Sequence, residues 1–211
     1  WCSADHWRMR GVIEVIDPAH ANPPPHSLTP PLYQQLKIDI DAMHPAQNVP
    51  AQKPSAARGR ALDNALDVRA QSPSDAYAKL RGDASMQSRT DAQLWDTLAF
   101  AWQRAASDAA IARGKKSYAR DCAACHGESG KGDGTAGLNL PGMAPMRAHA
   151  KRGPADFTDA TQLLGASDAL LHGKILRGGM GTGMPEWGSL YTDAEIWNVI
   201  SFIRSFVFEY E

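Results

Sequence analysis

Cysteine is nearly absent from this chain: three residues in 211, at positions 2, 122 and 125. So few cannot build a disulfide scaffold, and the fold must rest on a packed core or on something bound. Net charge is nearly absent too. Basic residues number 22 and acidic residues 23, a balance of −1, so no global field draws the chain to nucleic acid. There is no run of about 18 or more apolar residues, and no helix is expected to span a bilayer. No secretory leader is visible, so an exported protein is expected to be read here in its processed form. With 211 residues the chain can bury a real core, as one domain with a long extension or as two small domains.

Large apolar side chains are also scarce before residue 90. The stretch "D-P-A-H-A-N-P-P-P-H-S-L-T-P-P-L-Y", residues 17–33, is rich in proline, which fixes φ and removes a backbone donor. Residues 1–89 therefore read as a largely extended arm, with short helical pieces around Ala56–Arg69 and Ser74–Leu80. An arm of this composition cannot close a core of its own. It is expected to order only against another surface, chiefly a partner subunit, or to serve as a linker. Cys2 reads either as a free thiol or as the lipid-bearing first residue of a lipoprotein. Trp1 argues against the second, because the processing site wants a small residue there.

Regular signals begin at Thr90, and residues 90–211 read as one all-α domain. Thr90 is a predicted N-cap, followed by Leu94, Leu98 and Trp102 at helical spacing, with Trp95 beside them. Ser107 opens a second helix with Ile111, Gly114 and Tyr118 on one face, running into Cys122. Glycine and proline make residues 127–166 read as loop. Ser167 caps a short helix that Gly178 and Gly179 end. Thr192 and Glu195 form a capping box before the stripe Ile196, Ile200, Ile203 and Val207. No strand pattern and no internal repeat appear after residue 90.

The chemistry concentrates in "D-C-A-A-C-H-G-E-S-G-K-G-D-G", residues 121–134. A zinc site needs about four ligands, commonly as two spaced pairs, and only one pair is present. A redox dithiol needs its Cys-x-x-Cys after a strand, whereas this one ends a helix. Covalent haem attachment fits. Thiols of Cys122 and Cys125, two residues apart on one turn, add to the two vinyl groups, and His126 lies beneath the iron as proximal ligand. A sixth ligand is expected downstream in "G-G-M-G-T-G-M-P-E-W-G-S-L". There Met184, stiffened by Pro185, is favoured over Met180. "G-E-S-G-K-G" lacks the spacing of a phosphate loop, and "G-G-M-G-T-G" lacks the strand of a dinucleotide fingerprint. His172 reads as a packing or surface histidine. His6, His20, His26, His44 and His149 have no attachment motif, so one haem is expected.

These segments, with "Y-T-D-A-E-I-W-N-V-I-S-F-I-R", resemble a class I c-type cytochrome domain from about Asp108 to Phe206. The resemblance implies a cytochrome c fold around one covalent haem c, with the first and last helices crossing beside it. It implies that Gly114 permits that crossing where Trp197 and Ile200 pack. It also implies a proline carbonyl accepting the N–H of His126, with Pro141 the leading candidate and Pro145 the competitor in this long loop.

The expected function is one-electron transfer by a His126/Met184-ligated haem, not catalysis on a bound substrate. Lys115, Lys116, Lys131 and Lys174 either orient a redox partner at the exposed edge or are ordinary solvated lysines. Three settings compete. They are a subunit of an extracytoplasmic, membrane-associated respiratory or photosynthetic chain, a free periplasmic carrier, and a haem sensor or enzyme with a displaceable ligand. The long arm favours the first, and a quinol-oxidising assembly such as alternative complex III is one host the resemblance admits.

Overall fold

Helices begin where the sequence supplies a side-chain acceptor for the first free backbone N–H groups. The computed structural model describes residues 32–37, 45–62, 68–138, 153–179 and 183–211. In chain order its helices are α1 (Leu32–Gln35), α2 (Ala56–Gly59), α3 (Pro73–Gly82), α4 (Asp91–Ala105) and α5 (Asp108–Ser117). They continue with α6 (Ala123–His126), α7 (Thr135–Leu138), α8 (Ala160–Gly165), α9 (Asp168–Arg177) and α10 (Asp193–Arg204). Among the described residues there is one isolated bridge, Ser55 to Glu209, and no strand. The expected caps are in place. Thr90 Oγ1 accepts from the Gln93 N–H at 3.2 Å, and Ser107 Oγ accepts from that of Ala110 at 3.2 Å. Ser167 Oγ accepts from Leu170 at 3.1 Å, and Thr192 and Glu195 close their reciprocal box.

The stripe read from α10 is the core: Ile196, Ile200, Ile203 and Val207 are all buried. α10 crosses α5 at Gly114. A Cβ at that position would sit 1.8 Å from the carbonyl oxygen of Asn198, so only glycine lets the two backbones approach this closely. The crossing partners are Asn198 and Phe202, which corrects the expectation for Trp197. Trp197 lies on another face of α10, its ring 4.6 Å from that of His172 and beneath the Arg69 guanidinium at 4.6 Å. The packing role expected of His172 is seen: it is buried and bonded to Asp193 at 2.6 Å.

Arg204 is almost wholly enclosed at 1% exposure and ties three parts together. Its Nε donates to Asp168 Oδ1 at 2.8 Å, and its two Nη groups donate to the carbonyls of Leu163 and Ala166, each at 2.6 Å. Trp102 Nε1 of α4 donates to the same Asp168 oxygen at 3.1 Å. A buried charge is tolerable when it is paired and hydrogen-bonded, and here each guanidinium nitrogen finds an acceptor.

The described part of the expected arm does not run free. Residues 45–62 and 68–89 make contacts with helices and the tail of residues 90–211. The backbone N–H of Ser55 donates to Asp96 Oδ1 of α4 at 2.7 Å, and Arg58 Nε donates to Asp96 Oδ2 at 2.8 Å. Tyr77 of α3 stacks on Trp95 of α4 with centroids 4.7 Å apart. The C-terminal tail closes the joint, with Glu209 N–H donating to Pro54 O at 2.8 Å and Ala56 N–H to Glu209 O at 2.9 Å. Further along, Ala46 N–H donates to Thr161 O at 2.7 Å and Ala169 N–H to Arg69 O at 3.0 Å. The physical reason is that a few scattered apolar residues can complete an apolar face that another element leaves uncovered. Ala56, Ala76, Tyr77 and Leu80 make no core of their own, yet they cover the outer face of α4. Cys2 lies outside the described residues.

The loop expected over residues 127–166 also contains regular structure. Asp159 caps α8 by accepting from the Thr161 N–H at 3.0 Å, placing Leu163 and Leu164 in the core.

Candidate functional site

Between α5 and α6 the backbone widens into a single π-helical turn, Tyr118–Cys122. Such a bulge rotates the residues that follow it relative to the helix before it, and is frequent at functional sites. Tyr118 anchors the turn: it is buried, its hydroxyl donates to the Gly127 carbonyl at 2.8 Å, and its ring touches Phe157, Phe202 and Phe206. The attachment motif leaves this turn as α6.

The glycine-rich run after His126 folds back over the end of α6. Gly127 N–H donates to Ala123 O at 2.8 Å, Gly132 N–H to His126 O at 2.8 Å, and Gly134 N–H to Cys125 O at 3.1 Å. Gly127 has a φ of 78°, and a Cβ there would lie 2.0 Å from an Asp133 carboxylate oxygen, so glycine is required. The run is a helix cap, and its amides are spent on protein carbonyls.

Cys122 and Cys125 are both free thiols. Burial, with Asp121 close by, pushes the Cys122 thiol up to about 12, so it stays protonated at neutral pH. His126 Nδ1 lies 3.1 Å from the carbonyl oxygen of Ala155. A carbonyl accepts only, so Nδ1 carries the hydrogen and Nε2 keeps the lone pair. Burial holds the His126 pKa below its ordinary value, which keeps the ring neutral and able to ligate. Phe157 stacks on the imidazole with centroids 4.6 Å apart and planes 19° apart, which fixes its rotation.

Pro141 and Pro145, the expected acceptors, lie outside the described residues. Among the described ones the acceptor at Nδ1 is Ala155, late in the loop. There Phe157 N–H donates to Gly130 O at 2.6 Å and brings residues 153–157 back across His126. Neither Ala155 nor Phe157 was legible beforehand. The run Pro154-Ala155-Asp156-Phe157, a stiff residue followed by an aromatic one, was the available signal.

Met184 is half-buried against the core. Its carbonyl accepts from the Gly179 N–H at 3.1 Å, which closes the turn between α9 and the segment that follows. Met180 lies outside the described residues. Lys115, Lys116 and Lys131 are exposed and Lys174 is half-buried.

The donor set suits a covalently held haem. It offers two unoxidised thiols two residues apart and a neutral imidazole with one nitrogen anchored and the other free. Comparison with known proteins agrees, for residues 111–206 match the family model Cytochrome c. These residues are a class I c-type cytochrome domain. A cytochrome c domain carries haem c through covalent bonds, and its role is haem-based electron transfer. Over 102 residues the chain is 29% identical to the Cbb3-type cytochrome c oxidase subunit CcoP of Azospirillum sp. (strain B510), a stretch covering 48% of this chain and 30% of that subunit. A chain of the Kuenenia stuttgartiensis reducing HAO-like protein complex Kustc0457/Kustc0458 is similar at 20% identity and a TM-score of 0.39. That likeness covers 69% of this chain and 74% of that one.

Proposed function

We propose that this protein passes single electrons through one haem c held by Cys122 and Cys125, with His126 and Met184 as the two axial ligands. The observation that carries the reading is the anchored imidazole: Ala155 holds Nδ1, Phe157 holds the plane, and Nε2 remains the ligating atom. When bound, haem c supplies a one-electron change between Fe(II) and Fe(III). The protein does the rest. Cys122 and Cys125 fix the ring by thioether bonds, and the buried turn around Tyr118 keeps both thiols in register. Met184 comes from a turn closed by Gly179 and followed by Pro185, which supports a thioether ligand that stays in place and excludes outside ligands.

The setting we infer is extracytoplasmic, as one subunit of a membrane-associated electron-transfer assembly. Similarity to a subunit of a Cbb3-type cytochrome c oxidase supports this and adds an oxidase to the classes of host. No helix among the described residues is long and apolar enough to cross a membrane. The attachment we propose is contact with partner subunits, or lipid on Cys2.

Two measurements test the ligand set. Acid–acetone treatment should leave the colour on the polypeptide, and release of haem into the solvent would end the covalent reading. Met184→Ala should abolish the far-red sulfur-to-iron band of the oxidised protein and lower its potential, whereas Met180→Ala should do neither. The opposite pattern would exchange the two methionines.

A further inference from the structure

The turn that enters the attachment motif and the segment that leaves Met184 meet at one phenol. Tyr191 stands at the end of residues 183–191. Its ring packs on Trp187 with centroids 5.3 Å apart, and its backbone N–H donates to Trp187 O at 2.8 Å, so this end of the segment is a closed turn. Across the joint, the Tyr191 hydroxyl donates to Asp121 Oδ2. Arg120 completes the knot, with Nε donating to that same oxygen at 2.8 Å and an Nη donating to the Tyr191 oxygen at 3.4 Å. Asp121 immediately precedes Cys122, and Arg120 holds its carboxyl below the usual carboxylate range, so the acceptor is charged. Hydrogen bonds to a charged acceptor are the strong ones. From behind, Thr192 caps α10, so Tyr191 is fixed to the last helix as well.

We propose that Tyr191 is a positioning residue: it latches the Met184-bearing segment to the haem-attachment turn and so sets how readily an outside ligand displaces the methionine. This rests on Met184 being the sixth ligand. The residue is not needed to hold α10, which Gly114 and Arg204 already fasten to the rest of the domain. What the phenol adds is a bond between the segment that follows Met184 and the turn that leads to His126, the two residues that would hold the iron. An outside ligand binds only the open form, so its apparent affinity scales with the open fraction. Removing one hydrogen bond to a carboxylate raises that fraction about tenfold or more.

The experiment uses the full chain with haem attached and titrates the oxidised protein with imidazole, following loss of the far-red sulfur-to-iron band. Tyr191→Phe keeps the ring on Trp187 and removes only the hydroxyl. The expected result is imidazole binding about tenfold tighter, with a melting temperature close to that of the parent. Asp121→Ala, which removes the acceptor, should give a similar gain, and the double variant no further gain, since both changes cut the phenol–carboxylate bond. Unchanged imidazole affinity in Tyr191→Phe, with the band present in the parent, overturns the latch and leaves the Met184 reading standing. So does a gain in the double variant equal to the sum of the two single ones. A parent protein that never shows the band overturns the Met184 reading, and the latch with it, before any variant is made.

Discussion

At the scale of single residues, the consequences are set by contacts a fraction of an ångström wide. Gly114 faces the Asn198 carbonyl at a distance no side chain allows, so Gly114→Ala must push α5 and α10 apart. Overpacking of this kind typically costs about 1–3 kcal/mol, to be read from denaturant unfolding. A loss below a few tenths would mean the crossing is looser than the backbone positions state. Tyr210 offers the opposite case. Its hydroxyl is buried with no hydrogen-bond partner among the described residues. Burial, with Asp168 nearby, raises its pKa well above the ordinary value, and burial does the same to Tyr118. The folded state keeps these protons while the unfolded chain releases them above about pH 10, so this stability is fully present below about pH 10 and declines above it. Tyr210→Phe should be at least as stable as the parent at neutral pH, and should lose less stability as the pH passes about 10. Thermal melts at both pH values check it.

At the scale of elements, the decisive joint is the one Arg204 makes among α4, α9, α10 and the end of α8. Arg204→Ala would leave Asp168, 8% exposed, with only the Trp102 donor, and would strand the carbonyls of Leu163 and Ala166. Breaking a buried pair from one side costs about 3–5 kcal/mol, a large share of a small domain's stability. Because the haem bonds are covalent, colour will persist, and the loss must be measured by calorimetry or denaturant titration. A cost below about 1 kcal/mol would place Arg204 in contact with water. The sequence marked α10 clearly, because a capping box and an isoleucine stripe repeat at helical spacing. It did not mark Arg204 as buried, because burial of a charge depends on acceptors that come from a distant stretch of chain, Leu163 to Asp168.

At the scale of the whole molecule, the second half of the N-terminal region behaves as a layer of the domain. Removing residues 1–89 would strip Tyr77 from Trp95, and Ser55 and Arg58 from Asp96. The truncated chain should retain its covalent haem but melt lower by about 10 °C or more. Limited proteolysis of the intact protein should spare Pro73–Gly82. Cleavage there as rapid as in an unfolded peptide would return these residues to the status of a tether. What the sequence by itself determined is what depends on local order. That comprises the caps at Thr90, Ser107, Ser167 and Thr192, the α10 stripe, and the spacing of Cys122, Cys125 and His126. These follow from hydrogen bonds and periodicities within a few residues of chain. Only the tertiary structure decided what crosses long separations. It placed the Ala155 carbonyl at His126, Asn198 rather than Trp197 opposite Gly114, Tyr191 against Asp121, and Ser55, Arg58 and Tyr77 on α4. Each is a choice among surfaces that chain order leaves equivalent, and each was settled by which donor found an acceptor and which apolar face was still uncovered.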